Sequence, residues 1–284
     1  MSEPQTIQAI HLPVDQLRPF EHHPFHVYDN DEMDQLVWSI LTQGVLTPII
    51  VRPTEYGEYE VISGHRRLYA CQKAGIDTIP ALVCPLDRDA AIVAMVDSNL
   101  HRERLLPSEK AFAYKLKMDA LSRQGARTDL SSDHAGPKLT ASTIAEGESA
   151  SQVKRYIRLT ALIPEILQMV DDGKIALTPA VELSYLTQQE QQDLLETMKS
   201  EDCTPSLSQA IQMKKLSRLR KLNIDIIFTI LRDPKANQQE KITLDYALLR
   251  RYFPKQYTPK DIQATILRLV EADYKRRQQN REAR

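Results

Sequence analysis

The chain has 284 residues, 42% of them hydrophobic, enough for about two domains with apolar cores. Its formal net charge of −1 hides a division: residues 1–100 carry 6 Lys and Arg against 14 Asp and Glu, leaving 31 against 24 for the rest, so any phosphate-binding surface is expected in the second part, where solvated basic helix faces explain the excess equally well. No apolar run reaches the about 18 residues of a membrane span, the opening MSEPQTIQAIH lacks a signal-peptide pattern, and Cys71, Cys84 and Cys203 are too scattered for a disulfide framework or zinc site; the expectation is a cytoplasmic protein with buried thiols and no membrane partner.

Ile7–Val14 reads as a short strand. Glu32–Gln43 reads as a helix with Met33, Leu36, Val37, Ile40 and Leu41 on one stripe, closed by Gly44. Pro48–Arg52, Tyr59–Ile62 and Ile79–Cys84 read as strands. Between the last two, Gly64–Ala74 fits a helix through Leu68, Ala70, Cys71 and Ala74, stopped by Gly75. The result is a small α/β unit of about 100 residues.

From Asp89 onward the periodicity is helical. Leu106–Arg123 places Phe112, Ala113, Leu116 and Ala120 on one stripe, and Gly125–Lys138 is too polar to be anything but a loop. Pro164–Asp172 is a helix ended by Gly173, Thr178-Pro179 opens the next, and Thr187-x-x-Glu190 is a capping box. Ser200–Ser206 and Arg232–Glu240 read as linkers, and Tyr274–Arg284 as a basic, frayed helix end. Ile262, Ile266, Leu267, Val270 and Ala272 form an apolar stripe suited either to a partner helix or to intramolecular packing. The fold class expected is α+β: a mixed α/β N-terminal domain, then an all-α helix-turn-helix domain and a helical C-terminal region, with boundaries at 1–104, 105–200 and 207–284.

Ile62-Ser63-Gly64-His65-Arg66-Arg67 runs from a strand through a glycine into a helix. A helix N-terminus offers free N–H groups, Gly64 permits close backbone approach, and two guanidinium forks match phosphate oxygens, so a triphosphate is the natural guest. Taken alone, the turn reads more readily as a surface loop with two solvated arginines. In Leu139–Leu159, a turn at Gly147 sets Val153 and Ile157 at the core spacing of a recognition helix. Ser149, Ser151, Gln152 and Arg155 then fall near base edges, with Lys154 and Arg158 toward phosphates; the bland alternative is a surface helix of an all-α domain.

The order Gly44-Val45-Leu46-Thr47-Pro48-Ile49-Ile50-Val51, then Gly64-His65-Arg66-Arg67, then Asn99-Leu100-His101-Arg102 with Pro107-Ser108-Glu109-Lys110-Ala111 resembles the ParB family of chromosome and plasmid partition proteins, from about Ile7 to Leu186. The resemblance implies a sulfiredoxin-like N-terminal domain binding CTP, with or without Mg²⁺, and a homodimer that closes as a clamp on a palindromic site in double-stranded DNA on the nucleoid. Carried over, Gly44, Thr47 and Pro48 would border the nucleotide, Gly64, His65, Arg66 and Arg67 would hold its phosphates, and Asn99 and Arg102 would complete the pocket. Lys174, in a segment that resembles the helices bracing the DNA-reading one, is a further backbone candidate, and the C-terminus is the family's common dimer contact.

Two positions depart from the family pattern: His65 and Ser98 stand where glutamates are usual, which removes the obvious ligands for Mg²⁺ and leaves CTP hydrolysis undecided. His65 then reads as a neutral phosphate donor, an acid/base or a structural turn residue, and Asp97 is placed to substitute for Ser98 by a one-residue shift. A ParA-type ATPase partner is implied by the resemblance, yet residues 1–17 contain no Lys or Arg to engage one. Two other functions remain in view: a transcriptional regulator that has lost nucleotide switching, and a sulfiredoxin-fold phosphotransfer enzyme, the second weakened by Gly64 where sulfiredoxin needs a cysteine.

Overall fold

A computed structural model of the chain describes residues 8–102, 105–129, 148–233, 249–254 and 256–282. The chain divides into two compact units, Met1–Asp233 and Pro234–Arg284. The first opens on β1 (Ile10–Pro13), a 3-10 turn at Val14–Gln16 and β2 (Leu17–Pro19). α1 (Asp31–Gln43) is started by Asn30, whose side-chain oxygen accepts the Met33 N–H at 3.1 Å, and Asp31, Glu32 and Asp34 complement its N-terminal dipole. β3 (Ile49–Pro53), β4 (Tyr59–Ser63), α2 (His65–Ala74) and β5 (Thr78–Val83) complete the sheet region.

The strands lie in the order β1-β5-β3-β4-β2, a mixed sheet in which β1–β5 and β3–β4 are antiparallel and β3–β5 and β2–β4 parallel. Strand alternation sorts the central side chains between two cores. Ile49, Val51 and Val61 face Met33 and Ile40 of α1 and Leu68 and Cys71 of α2. Ile50 and Ile62 face the opposite way, onto Ile92, Met95 and Val96 of α3 (Arg88–Leu100) and onto Ala113 and Ala120 of α4 (Pro107–Asp129). A sheet covered on both faces needs apolar residues on both sides of its central strands, which is why IIV and VI run together there.

α4 also has a second allegiance. Its Ala111 belongs to the helical core, with Leu159, Ile166, Leu183, Leu194, Ala210 and Ile227, and its Tyr114 packs on Val153. That core is built by α5 (Ala150–Leu159), α6 (Pro164–Asp171), α7 (Leu177–Leu183), α8 (Gln188–Glu201), α9 (Leu207–Arg218) and α10 (Ile224–Arg232). The expected capping box at Thr187 and Glu190 is present, and Ser206 with Gln209 forms another at the start of α9. In the second unit, α11 (Pro259–Glu282) takes in most of the basic tail.

The α+β class holds, with local corrections. The first strand begins at Ile10 within the described residues and ends at Pro13, and β2 was not expected: three residues ending in proline are too few for a periodic signal, and they fit because β2 lies at the sheet edge. α4 runs through Gly125–Asp129, the head of the expected loop, because one glycine costs about 1 kcal/mol and no proline stops the helix. Phe112 is 44% exposed, and the buried side of α4 is carried instead by Ala111, Ala113, Tyr114, Lys117 and Ala120, while Leu41 likewise points out of the core, 60% exposed. α7 begins at Leu177, with Ala176 as cap, leaving Thr178 inside its first turn. Cys71 is buried, whereas Cys84 and Cys203 are half-buried.

Candidate functional site

Gly64 turns β4 into α2 at φ 106, ψ 23, a left-handed conformation. A Cβ there would lie 2.6 Å from Ile49 Cγ2, so the strand beside it forbids any side chain. His65, the first residue of α2, is 8% exposed. Its Nε2 accepts the Phe20 N–H at 3.4 Å, and its ring lies on that of His23, with centroids 3.7 Å apart. Burial, then the neighbouring His23 and Arg102, push its pKa down to about 3. The imidazole is thus neutral, with Nε2 an acceptor turned to the backbone, a placement that matches the structural-turn reading.

An unfolded histidine titrates near 6.5 and this one near 3, so the unfolded chain binds the extra proton in between. The contribution of His65 to stability is therefore complete above about pH 6.5 and is lost as pH falls toward 3. His65→Gln is expected to flatten the acid dependence of urea unfolding between about pH 4 and pH 7; equal slopes in variant and wild type would show that the buried ring titrates normally.

Arg67 and Arg66 diverge. Arg67 folds back, its Nη1 donating to the carbonyls of Thr47 and, at 2.7 Å, of Pro48, so it fastens the loop after Gly44 to α2, and burial lowers its pKa. Arg66 points outward, its Nη2 3.3 Å from the exposed carboxylate of Glu32. It reaches a cleft of about 780 Å³ also lined by Arg102, His26, Tyr28 and Glu109. Arg102 lies just beyond α3, with its guanidinium 5.7 Å over the Phe25 ring. Burial, then the like charge of Arg66, lower its pKa, so the two cations sense each other.

Asn99 is buried and donates to the Met95 carbonyl at 2.7 Å, within α3. Ser98 does the same at 2.9 Å, and Asp97 pairs with Lys117, whose side chain is buried. The structure thus brings Arg66 and Arg102 to one cleft, leaves Gly44, Thr47, Pro48, Gly64 and Arg67 outside its lining, with Arg67 tied to the Thr47 and Pro48 carbonyls, and turns His65 and Asn99 inward. Among the described residues no group of three or more His, Cys, Asp or Glu is placed to hold a metal ion. The cleft also holds residues missed from sequence, among them His26, Tyr28, Glu32 and Glu109. Of these, Glu109 is the most firmly built in. Its nearly buried carboxylate accepts the His26 N–H at 2.8 Å and the Leu106 N–H at 3.0 Å, capping α4 against the cleft; the Pro-x-Glu spacing at the start of that helix was the available signal.

In the helical core, Ser149 caps α5 by accepting the Gln152 N–H at 3.2 Å. Val153 is buried, while Ser151 and Lys154 are exposed. Arg155 is held at 3.3 Å by Gln152 Oε1 and at 2.6 Å by Thr178 Oγ1. Arg158 is spent locally: it donates to the Ser184 hydroxyl and carbonyl at 3.1 and 2.7 Å. Lys174 is exposed beside Asp172 at 3.0 Å. The first helix expected of the helix-turn-helix, from Leu139, and its turn at Gly147 lie outside the described residues.

Residues 2–100 match the family model of the ParB N-terminal domain. Over 183 residues, 64% of this chain, it is 33% identical to a probable chromosome-partitioning protein ParB of Pseudomonas putida, covering 58% of that protein. It is 40% identical over 116 residues to a nucleoid occlusion protein of Geobacillus kaustophilus, 40% of this chain and 41% of that one. The chain thus spans about half the length of the curated relatives it matches. Among solved structures, a C-terminally truncated ParB of Caulobacter crescentus, complexed to the centromeric parS site, aligns over 79% of this chain and 100% of its own at 23% identity and a TM-score of 0.44.

Proposed function

We propose, from the premise that this chain is a relative of ParB whose residues 2–100 are a ParB N-terminal domain, that it is a nucleotide-gated DNA-binding partition protein. The nucleotide is CTP, lodged in the cleft of Arg66 and Arg102; the DNA is a palindromic duplex site, read by a homodimer through α5. Residues 1–104 form the nucleotide domain and the helical core that follows, completed by α9 and α10, the DNA-binding domain; of the expected 207–284 region, residues 234–284 contribute to pairing of subunits. A ParA-type ATPase belongs to the same reading. Among the described residues no helix is long and apolar enough to cross a membrane.

One observation carries the coupling of the two ligands. Adjacent residues of α4 serve the two sites: Glu109 lines the cleft, while Lys110 lies 2.7 Å from the Glu148 carboxylate and 5.2 Å over the Tyr156 ring, at the head and middle of α5. Phosphates drawn to Arg66 and Arg102 compete with the carboxylates there, and any shift of the α4 N-terminus that follows is passed one residue on to the DNA-reading helix. His65 and Ser98 offer no carboxylate for Mg²⁺, which favours binding over hydrolysis as the nucleotide's role.

The test is a CTP titration of the full chain with and without duplex recovered by the protein from a random-sequence pool. A gain in CTP affinity with the recovered duplex supports gating. Indifference to DNA leaves a passive DNA-binding regulator, and phosphoryl transfer to a small acceptor would indicate the enzyme instead. Arg155→Ala is expected to cost about 1–3 kcal/mol on the recovered duplex and little on scrambled sequence; an equal loss on both would make Arg155 a phosphate contact.

A further inference from the structure

Away from the cleft and beyond the N-terminal turns of α5, three cations converge on one tyrosine. Tyr185, just after α7, is 41% exposed. Around its ring stand Lys214 at 3.8 Å, Arg158 at 4.1 Å and Arg218 at 5.7 Å. A cation over an exposed ring gains about 0.5–1 kcal/mol, a modest return for gathering like charges. The one carboxylate in this group, Glu182, is taken by Lys214 at 2.8 Å. Lys215 and Arg218, exposed on α9, have no carboxylate partner among the described residues, and they border a shallow depression of about 360 Å³. The arrangement carries surplus positive charge on an ordered platform, which a solvated lysine face does not need.

Its position says which anion fits. Arg155 and Arg158 lie three residues apart on α5, and each reaches across to α7, the first to Thr178 near its start and the second to Ser184 at its end. Six residues of helix separate those anchor points by about 9 Å. A duplex strand advances about 3.4 Å per nucleotide along its axis, so the two ends of α7 are about two to three phosphates apart. A backbone that passes α5 at Arg155 and follows α7 reaches the Tyr185 group within that span.

We propose that Arg218, held at the Tyr185 ring, and Lys215, which borders the same depression, form a second duplex-DNA contact that grips backbone phosphates flanking the segment read by α5. This rests on α5 being the DNA-reading helix. Tyr185 is a positioning residue here, and Arg158 joins the reading helix to the flanking grip.

The experiment compares wild type with a Lys215→Gln, Arg218→Gln double variant, both checked for folding by urea unfolding. Duplex affinity is measured over a salt series on the recovered duplex and on a scrambled one of equal length. The logarithm of affinity against that of salt is expected to lose about two units of slope per subunit, so roughly 3 to 4 for the bound homodimer, on both duplexes, with the preference between them unchanged. A folded variant with the wild-type slope overturns this inference while leaving α5 as the reader, as it would if the surface served an acidic protein. Failure of the wild type to bind either duplex at low salt sinks both readings.

Discussion

Gly64→Ala is expected to destabilise the protein by about 2–6 kcal/mol, from left-handed backbone strain and from overpacking against the sheet. The new Cβ would sit 2.6 Å from Ile49 Cγ2, closer than such atoms approach, and Ile49 is itself fully buried between β5 and β4. Set against the 5–15 kcal/mol typical of a domain, a loss in this range leaves the unit marginal or unfolded. Gly75→Ala separates the two causes. Gly75 has φ 68 but nothing within 4 Å of its Cβ position, so only strain remains there, about 1–2 kcal/mol. Ile49→Ala, added to the Gly64 variant, is expected to cost less than it does alone, because it clears the clash. Urea midpoints for the set decide the matter; a Gly64 variant no worse than the Gly75 one would mean that the strand gives way.

The same glycine shows how far the sequence could be read. A strand, a glycine, a helix start and two arginines identified the turn, because each signal is local and periodic. The division of labour between Arg66 and Arg67 was not legible, since it depends on which way consecutive helical residues face when the Thr47-Pro48 loop returns, a tertiary fact separated from them by about twenty residues. His65 was open for the same reason: its burial is supplied by Phe20 and His23, far back in the chain. α5 was legible from the spacing of Val153 and Ile157, whereas its serine cap and the turn of Arg158 onto Ser184 and Tyr185 were not, because a charged residue on a helix reads as exposed until a neighbouring helix supplies its acceptors. The dual role of α4 was missed because three of its buried positions, Ala111, Ala113 and Ala120, are alanines that leave little hydrophobic signal, and because nothing local says that Tyr114 faces a different core from Ala113.

Arg66→Ala is expected to lower CTP affinity by roughly 10- to 100-fold or more, the worth of one or two charge-assisted hydrogen bonds at 1.4 kcal/mol per tenfold. Arg102→Ala is expected to act similarly, and neither should move DNA affinity measured without nucleotide by more than about twofold, because neither touches the helical core. Arg67→Ala should behave differently: with the Thr47 and Pro48 carbonyls released, its main effect is on stability, and its effect on CTP is indirect. Glu32 gives the test its sign. The Arg66–Glu32 pair is exposed, 42% and 69%, and joined at 3.3 Å, so it is a weak tie, worth about 0–1 kcal/mol, that a phosphate must break. Glu32→Gln is therefore expected to strengthen CTP binding by up to about fivefold at low salt, with the gain fading as ionic strength rises. Loss of affinity in that variant, or CTP binding that ignores both arginines, would place the nucleotide elsewhere on the protein.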